Sequence, residues 1–571
     1  MPDALLADQP WWQAALPPPD AWAGFPGLLL AALLCTLAGG AVLGRTSRPE
    51  TRLVAGWGVL CLWLTVPGVL TGLSLRGPAI CFALLALASL ALPWNRTGWR
   101  PVGRLALLTL PLWLVMFPLR ASQVDTWLNL LPNAAYLVDH QRFPTLAGPD
   151  SHSFLPGAPY DTQFIAYLAA LPTGQLGQAT MSWFNMGLAM AAALLLARVL
   201  APARAEHPPW WALAGGFLLA VPLNPAFTPR VSFAPYGEWP LAVTLLVAVW
   251  QMAEALRARR AGEGGLAPLG AVALALAAMV NTKQSGPGLV LAFALPALLL
   301  ALTVPGRRLT TAAWVLAGLV PAALLYALWH GFVAKAGVAE LTLLPREAWN
   351  TGLVPQILRA MAHETLAKGA FFVLLLGVIL AGLTALLRRD LSPRGTVLML
   401  TAGTALLYNL YLLLTYIVHF PPEMALQPHS YARYNYHLGL AVMLGLVLLL
   451  RPWLARHIAA WPARRQQAGA AVMIALVPIL PVALAPLLRF DFDPPQPSLR
   501  AIAASIAPLL AEGDHLGLVV PGDRDDAIGS VVRGLLLFTP PRQDLVIRTT
   551  IASDPAEVAA SARFVLTTCT P

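Results

Sequence analysis

The chain has 571 residues, of which 58% are hydrophobic and 11% charged, and its formal net charge is +10. Ordinary soluble proteins carry about 25% charged residues, so this deficit excludes a soluble enzyme. A nucleic-acid-binding surface would gather its cations on one soluble face, whereas these arginines stand at the ends of apolar runs, and no nucleic-acid partner is expected.

From the N-terminus, Asp3, Asp8 and Asp20 replace the positive n-region of a cleavable signal peptide. Apolar windows then predict about fourteen membrane spans. They lie roughly at 22–44, 53–75, 77–94, 103–119, 179–200, 209–227, 238–256, 266–282, 287–304, 311–330, 370–387, 396–418, 434–451 and 468–488. Arginines concentrate in alternate connections, among them Arg45, Arg48 and Arg52; Arg198 and Arg204; Arg257, Arg259 and Arg260; and Arg388, Arg389 and Arg394. The positive-inside rule makes those connections cytoplasmic. The opposite connections, which include 120–178, 228–237, 331–369, 419–433 and the tail after Arg489, then lie outside with both termini, and they hold most of the acids and histidines and all three lysines. Cys35, Cys61 and Cys81 fall in predicted spans and Cys569 lies near the C-terminus, which draws no disulfide framework or metal spacing.

The first long outer segment, 120–178, opens with Asp125 just past the apolar run that ends at Leu119. A carboxylate there can take a proton from a hydroxyl nucleophile, or it can cap the helix that follows. Residues 126–139 form an amphipathic pattern with Trp127, Leu130, Leu131 and Leu137 able to lie on the membrane. Asp161, in "APYDTQF" before an apolar helix, is the stronger of the remaining acids, while Asp150 and His152 read as solvated.

The "YGEWP" turn puts Glu238 at the outer start of a span, either as a functional membrane-edge acid or as a helix cap. In "NTKQSGPG", Lys283 precedes a tight reversal and can neutralise a phosphate, or snorkel to the interface. In "HSYARYNYH", Arg433 can hold a phosphate bidentately, and His429, Tyr431, Tyr434 and His437 can contact a sugar; an aromatic belt explains the tyrosines alone. Beyond Arg489 a "PPQP" linker leads to alternating helix and strand patterns: Ser498–Leu510 helix, His515–Val520 strand, Asp525–Leu537 helix, then strands at Asp544–Thr549 and Ala562–Thr567. The fold class is a polytopic α-helical membrane protein with a small C-terminal α/β extracytoplasmic domain. The domain limits are 1–102 for the leading spans, 103–488 for the core and 489–571 for the outer domain. The spacing of Gly522 and Gly529 matches no phosphate loop.

Taken together, the Asp125 loop, "YDTQFIAYLAALP", "YGEWP", "TKQSG", "ARY" and the outer C-terminal unit resemble the GT-C superfamily of integral-membrane glycosyltransferases. The resemblance is to the bacterial relatives of protein O-mannosyltransferases and aminoarabinose transferases, and it covers roughly 103–571. It implies a bacterial cytoplasmic (inner) membrane enzyme that transfers a sugar from a polyprenyl-phosphate donor to a polysaccharide, lipid or protein acceptor on the outer face, with inversion. Asp125 is then the base, Lys283 and Arg433 the donor-phosphate ligands, and Glu238 a sugar or metal contact. Asp161, His429, Tyr431, Tyr434 and His437 are further candidates for the sugar or acceptor. The chain departs from the family pattern in having a lone Asp125 followed by Thr126 and three extra spans before the core. A divalent metal is left open, and no cofactor is assigned.

Other classes carry distinct signatures. A transporter or flippase places paired charges near the bilayer midplane on broken helices. An O-antigen ligase or polymerase gives the decisive role to 331–369, and a membrane scaffold has no need of Asp125.

Overall fold

The computed structural model describes residues 16–202, 205–428, 430–511, 514–519, 527–539, 546–550 and 564–567. Among them nine helices are long and apolar enough to cross a membrane: Pro19–Leu43, Pro49–Thr71, Thr180–Leu200, Glu238–Arg260, Arg308–Ala336, Gly369–Leu387, Pro393–Val418, Ser430–Ala459 and Ala463–Ala483. The pair Arg76–Ala91 and Pro93–Leu108 would make a tenth were it not bent by 91°. The bend falls at Leu92, whose backbone is extended, as the residue before a proline prefers. Trp210–Ala220, Leu266–Thr282 and Gly286–Ala301 are apolar but shorter. The fourteen predicted windows thus all fall on helices, but several helices are too short or too bent to span alone. Hydropathy counts apolar residues and does not register where the backbone breaks.

Without a hydrophobic drive between helices in lipid, close packing has to hold the bundle. Pro19–Leu43 and Pro49–Thr71 approach so closely that a Cβ added at Gly56 would overlap the backbone carbonyl of Cys35.

Polar contacts between connections sort by end of the bundle. At one end Arg198 pairs with Glu50, Arg260 donates to the Leu391 carbonyl (2.9 Å) and Thr303 hydroxyl (3.3 Å), and Arg451 donates to the Ala201 carbonyl (3.1 Å). At the other, the Leu146 amide donates to Ala336 (3.0 Å), Leu344 to Val418 (2.9 Å), and the Asn350 side chain to Phe420 (2.8 Å). Each of these contacts joins connections that the arginine pattern puts on one side.

At the end that carries 120–178, Gln496–Ile506 and Ala527–Phe538 pack together beside three parallel strands, β1 (His515–Val519), β2 (Val546–Thr550) and β3 (Phe564–Thr567). Their order is β2-β1-β3, with His515 opposite Val546 and Leu516 opposite Phe564.

The structure corrects the expectation that residues 126–139 lie on the membrane. Trp127, Leu131 and Leu137 are buried; Trp127 and Leu131 share a core with Val531, Leu535 and Leu499. The stripe that looked fit for lipid is covered by protein far along the chain.

Candidate active site

The site is built on the side that carries 120–178, at the ends of helices that start or stop short of the rest. Leu266–Thr282 has 17 residues and Gly286–Ala301 has 16. At 1.5 Å per residue each spans about 25 Å, less than the ~30 Å hydrocarbon core. Lys283 is the C-cap of the first and Gly286 opens the second, its amide donating to the Lys283 carbonyl at 2.8 Å. The lysine is therefore recessed at the turn between two short helices.

Glu238 opens the helix Glu238–Arg260 beside that turn, and it is 2% exposed. Gly237 permits the approach, since a Cβ there would crowd the Thr282 and Lys283 side chains. Lys283 Nζ donates to Glu238 Oε1 at 2.7 Å. Arg433, from Ser430–Asn435, brings Nε to 2.9 Å from the same oxygen. Its N–H is not aimed along that line, so the contact is an ion pair rather than a hydrogen bond. Glu238 Oε2 is buried and has no hydrogen-bond partner among the described residues. One carboxylate thus holds two cations from separate parts of the chain.

Aromatic faces complete the arrangement. The Arg433 guanidinium lies over the Tyr236 ring at 5.6 Å and Lys283 Nζ over the Tyr434 ring at 5.3 Å. Asp125, partly buried, comes close enough for its charge to act on both Tyr236 and Arg433. Burial first, and then that carboxylate, push the Tyr236 phenol well above its ordinary range, against the opposing pull of Arg433. Asp125 leads the π-helical turn Thr126–Leu130, but its side chain makes no capping bond. The capping alternative is thus not the contact made.

Glu238, Lys283 and Arg433 therefore meet, and Asp125, 308 positions before Arg433, lies within electrostatic reach of that arginine. Lys283 and Arg433 side chains keep 23% and 29% of their surface exposed, whereas Glu238 keeps 3%. The cations are within reach of a ligand, and the glutamate is committed to them. Both cations face the same oxygen of Glu238, Oε1. Among the described residues no three His, Cys, Asp or Glu side chains gather as a metal site.

Other candidates take different places. Tyr434 stays at the cluster under Lys283. Tyr431 is buried, stacks on Phe372 and donates to the Asn409 side chain at 2.6 Å. His437 is fully buried, with Nδ1 2.7 Å from the Tyr408 hydroxyl; Nε2 has no partner among the described residues. Asp161 lies behind the Lys283 turn: its backbone carbonyl accepts from Trp57 Nε1 at 3.4 Å, and Oδ2 is buried without a partner among the described residues. Asn281 donates to the adjacent Tyr160 carbonyl, which ties that loop to the turn. His429 lies outside the described residues.

Sequence reasoning missed two parts. The stacking of Tyr236 under Arg433 needs two segments nearly two hundred residues apart, and only the density of aromatics beside "YGEWP" hinted at it. The helix Val354–Ala367, which packs against Ser430–Asn435, carried no signal that connects it to the site.

No family model matches the chain, and neither does any curated protein. Among solved structures, it is similar to the archaeal oligosaccharyltransferase AglB from Archaeoglobus fulgidus, solved with an inhibitory peptide and a dolichol-phosphate. The two are 14% identical, with a TM-score of 0.40, and the match covers 77% of this chain. The chain spans 64% of that protein's length.

Proposed function

We propose that the protein is a membrane glycosyltransferase of the GT-C type that moves a sugar from a polyprenyl-phosphate donor to a hydroxyl of an envelope polysaccharide, lipid or protein acceptor. The observation that carries this reading is the pair of reachable cations, Lys283 and Arg433, held together on Glu238 at recessed helix ends, with the partly exposed carboxylate of Asp125 within electrostatic reach of Arg433. Transfer from a lipid phosphate requires a base for the acceptor and positive charge for the leaving phosphate, close together at the membrane edge.

In the reaction the acceptor oxygen gives its proton to Asp125 and bonds to the anomeric carbon. The bond from that carbon to the phosphate oxygen breaks, and the polyprenyl phosphate leaves with the electron pair. Lys283 and Arg433 stabilise that charge, and attack opposite the leaving group inverts the configuration. Glu238 acts as the residue that positions the two cations, not as a sugar contact. Residues 103–488 form the catalytic core, 1–102 add leading spans, and 489–571 form a small outer domain.

The test is transfer from a radiolabelled polyprenyl-phosphate sugar pool by the purified protein. Asp125→Asn is expected to lose about 10²–10⁴-fold in rate. Lys283→Ala and Arg433→Ala should each lose about 10²–10³-fold. Undiminished transfer by Asp125→Asn would remove it as the base.

A further inference from the structure

A second cationic cluster lies where the root of the outer segment 120–178 meets the start of the tail. Arg489 and Asp491 are buried at 1% and 0% exposure. Arg489 grips the aspartate with both ends of its fork, Nε to Oδ1 at 2.9 Å and Nη2 to Oδ2 at 3.0 Å, and Nη2 also donates to the Pro118 carbonyl at 3.2 Å. The Arg120 backbone amide donates to Asp491 Oδ2 at 3.2 Å. Arg500 donates to the Asp491 backbone carbonyl at 2.7 Å and to Ala121 at 3.4 Å. Phe492 lies under both Arg489 and Arg500.

Three arginines thus gather at one aspartate, whose carboxylate is already satisfied by the Arg489 fork and the Arg120 backbone amide, while Arg500 takes only its backbone carbonyl. Asp493, the next acid along, is taken by Arg230 at 2.5 Å. Arg489 Nη1 and Arg120 Nε are both buried and have no hydrogen-bond partner among the described residues. Buried charged donors left in that state are costly, and a structural seam needs no such surplus. Burial first, and the neighbouring cations Arg120 and Arg489 in addition, pull the Arg500 guanidinium down to about 10 despite Asp491.

We propose that Arg120, Arg489 and Arg500 form a phosphate-monoester-binding site at this seam, separate from the Lys283–Arg433 cluster. The class of ligand follows from charge and shape. The excess of cations over carboxylates matches a phosphate monoester, which carries ~1.5 to 2 negative charges at neutral pH. A tetrahedral anion offers several oxygens to N–H groups on different guanidiniums, whereas a carboxylate offers two in one plane. Both chain segments leave apolar helices here, Leu110–Met116 and Ala485–Leu488, which sets the cluster at the outer membrane boundary. The phosphate can therefore come from solution or from a lipid headgroup.

The test uses the full-length protein in phosphate-free detergent, titrated with inorganic phosphate or with nitrate at matched ionic strength while its melting temperature is followed. A parallel arm compares nanodiscs of phosphatidylcholine with and without phosphatidic acid. Variants are Arg120→Gln and Arg500→Gln, which spare the Arg489–Asp491 pair, and Lys283→Ala, which removes a cation of the other cluster. Phosphate or phosphatidic acid is expected to raise the melting temperature of the unsubstituted protein and of Lys283→Ala alike. Arg120→Gln should weaken the apparent affinity about tenfold or more. A response to inorganic phosphate assigns a soluble ligand, and a response to phosphatidic acid alone assigns a lipid. The site is refuted by no response in either arm, by a response that nitrate reproduces, by one that Arg120→Gln leaves intact, or by one that Lys283→Ala abolishes.

Discussion

Glu238 shows how much one buried charge organises. Its Oε1 faces Lys283 and Arg433 together, so its removal leaves two cations without their shared partner in a partly buried place. Breaking such a buried arrangement from one side costs roughly 3–5 kcal/mol. Glu238→Gln should therefore melt well below the unsubstituted protein, and adding Lys283→Met should recover part of the loss. The double-mutant cycle of melting measurements checks this, and purely additive losses would mean that the two residues do not depend on each other. Asp125, Glu238, Lys283 and Arg433 were legible as candidates because a chain so poor in charge makes each outer one conspicuous. Tyr431 and His437 were not separable from Tyr434 in the same way. Positions a few residues apart in the sequence point to different sides, and only packing shows that Tyr431 turns to Asn409 and His437 to Tyr408.

Among elements, the segment after Asp125 is the clearest case of tertiary context overriding a pattern. An apolar face tells that something covers it and not what. Here the cover is Ala527–Phe538, whose Gly534 leaves room for Trp127: a Cβ added there would run into the indole ring. Overpacking of this kind costs about 1–3 kcal/mol. Gly534→Val is expected to loosen the contact, seen as faster proteolytic release of the tail, and Trp127→Leu in the same chain should slow the release again. An unchanged rate in Gly534→Val would show that this contact does not hold the tail. Helix existence was easy to read because long apolar runs admit few alternatives in a membrane. Helix length was not, since the Leu92–Pro93 bend and the early stops at Thr282 and Ala301 arise from a few local residues that hydropathy averages away.

For the whole molecule, polar contacts divide into two sets at opposite ends, one held by the arginine-rich connections and the other by the Asp125 cluster and the tail. The positive-inside rule predicts that the arginine-rich end lies in the cytoplasm. In a background with Cys35, Cys61, Cys81 and Cys569 replaced, Glu347→Cys should react with a membrane-impermeant maleimide on intact cells. Glu263→Cys should react only after permeabilisation. The reverse pattern would put the cluster on the cytoplasmic side and would sink an outer-face transfer reaction.

By itself the sequence determined that this chain belongs in a membrane, which helical segments it forms and which connections share a side, because apolar runs and arginine bias act locally and are counted residue by residue. It also singled out the charged residues worth attention. Only the tertiary structure decided that Glu238 joins Lys283 and Arg433, that Trp127 is buried by the tail rather than by lipid, and that Arg120, Arg489 and Arg500 gather around one aspartate. Several of those pairings, such as Trp127 with the tail and Arg120 with Asp491, join positions hundreds of residues apart. Coulombic attraction and close packing act on distance in space, which the linear order of residues does not contain.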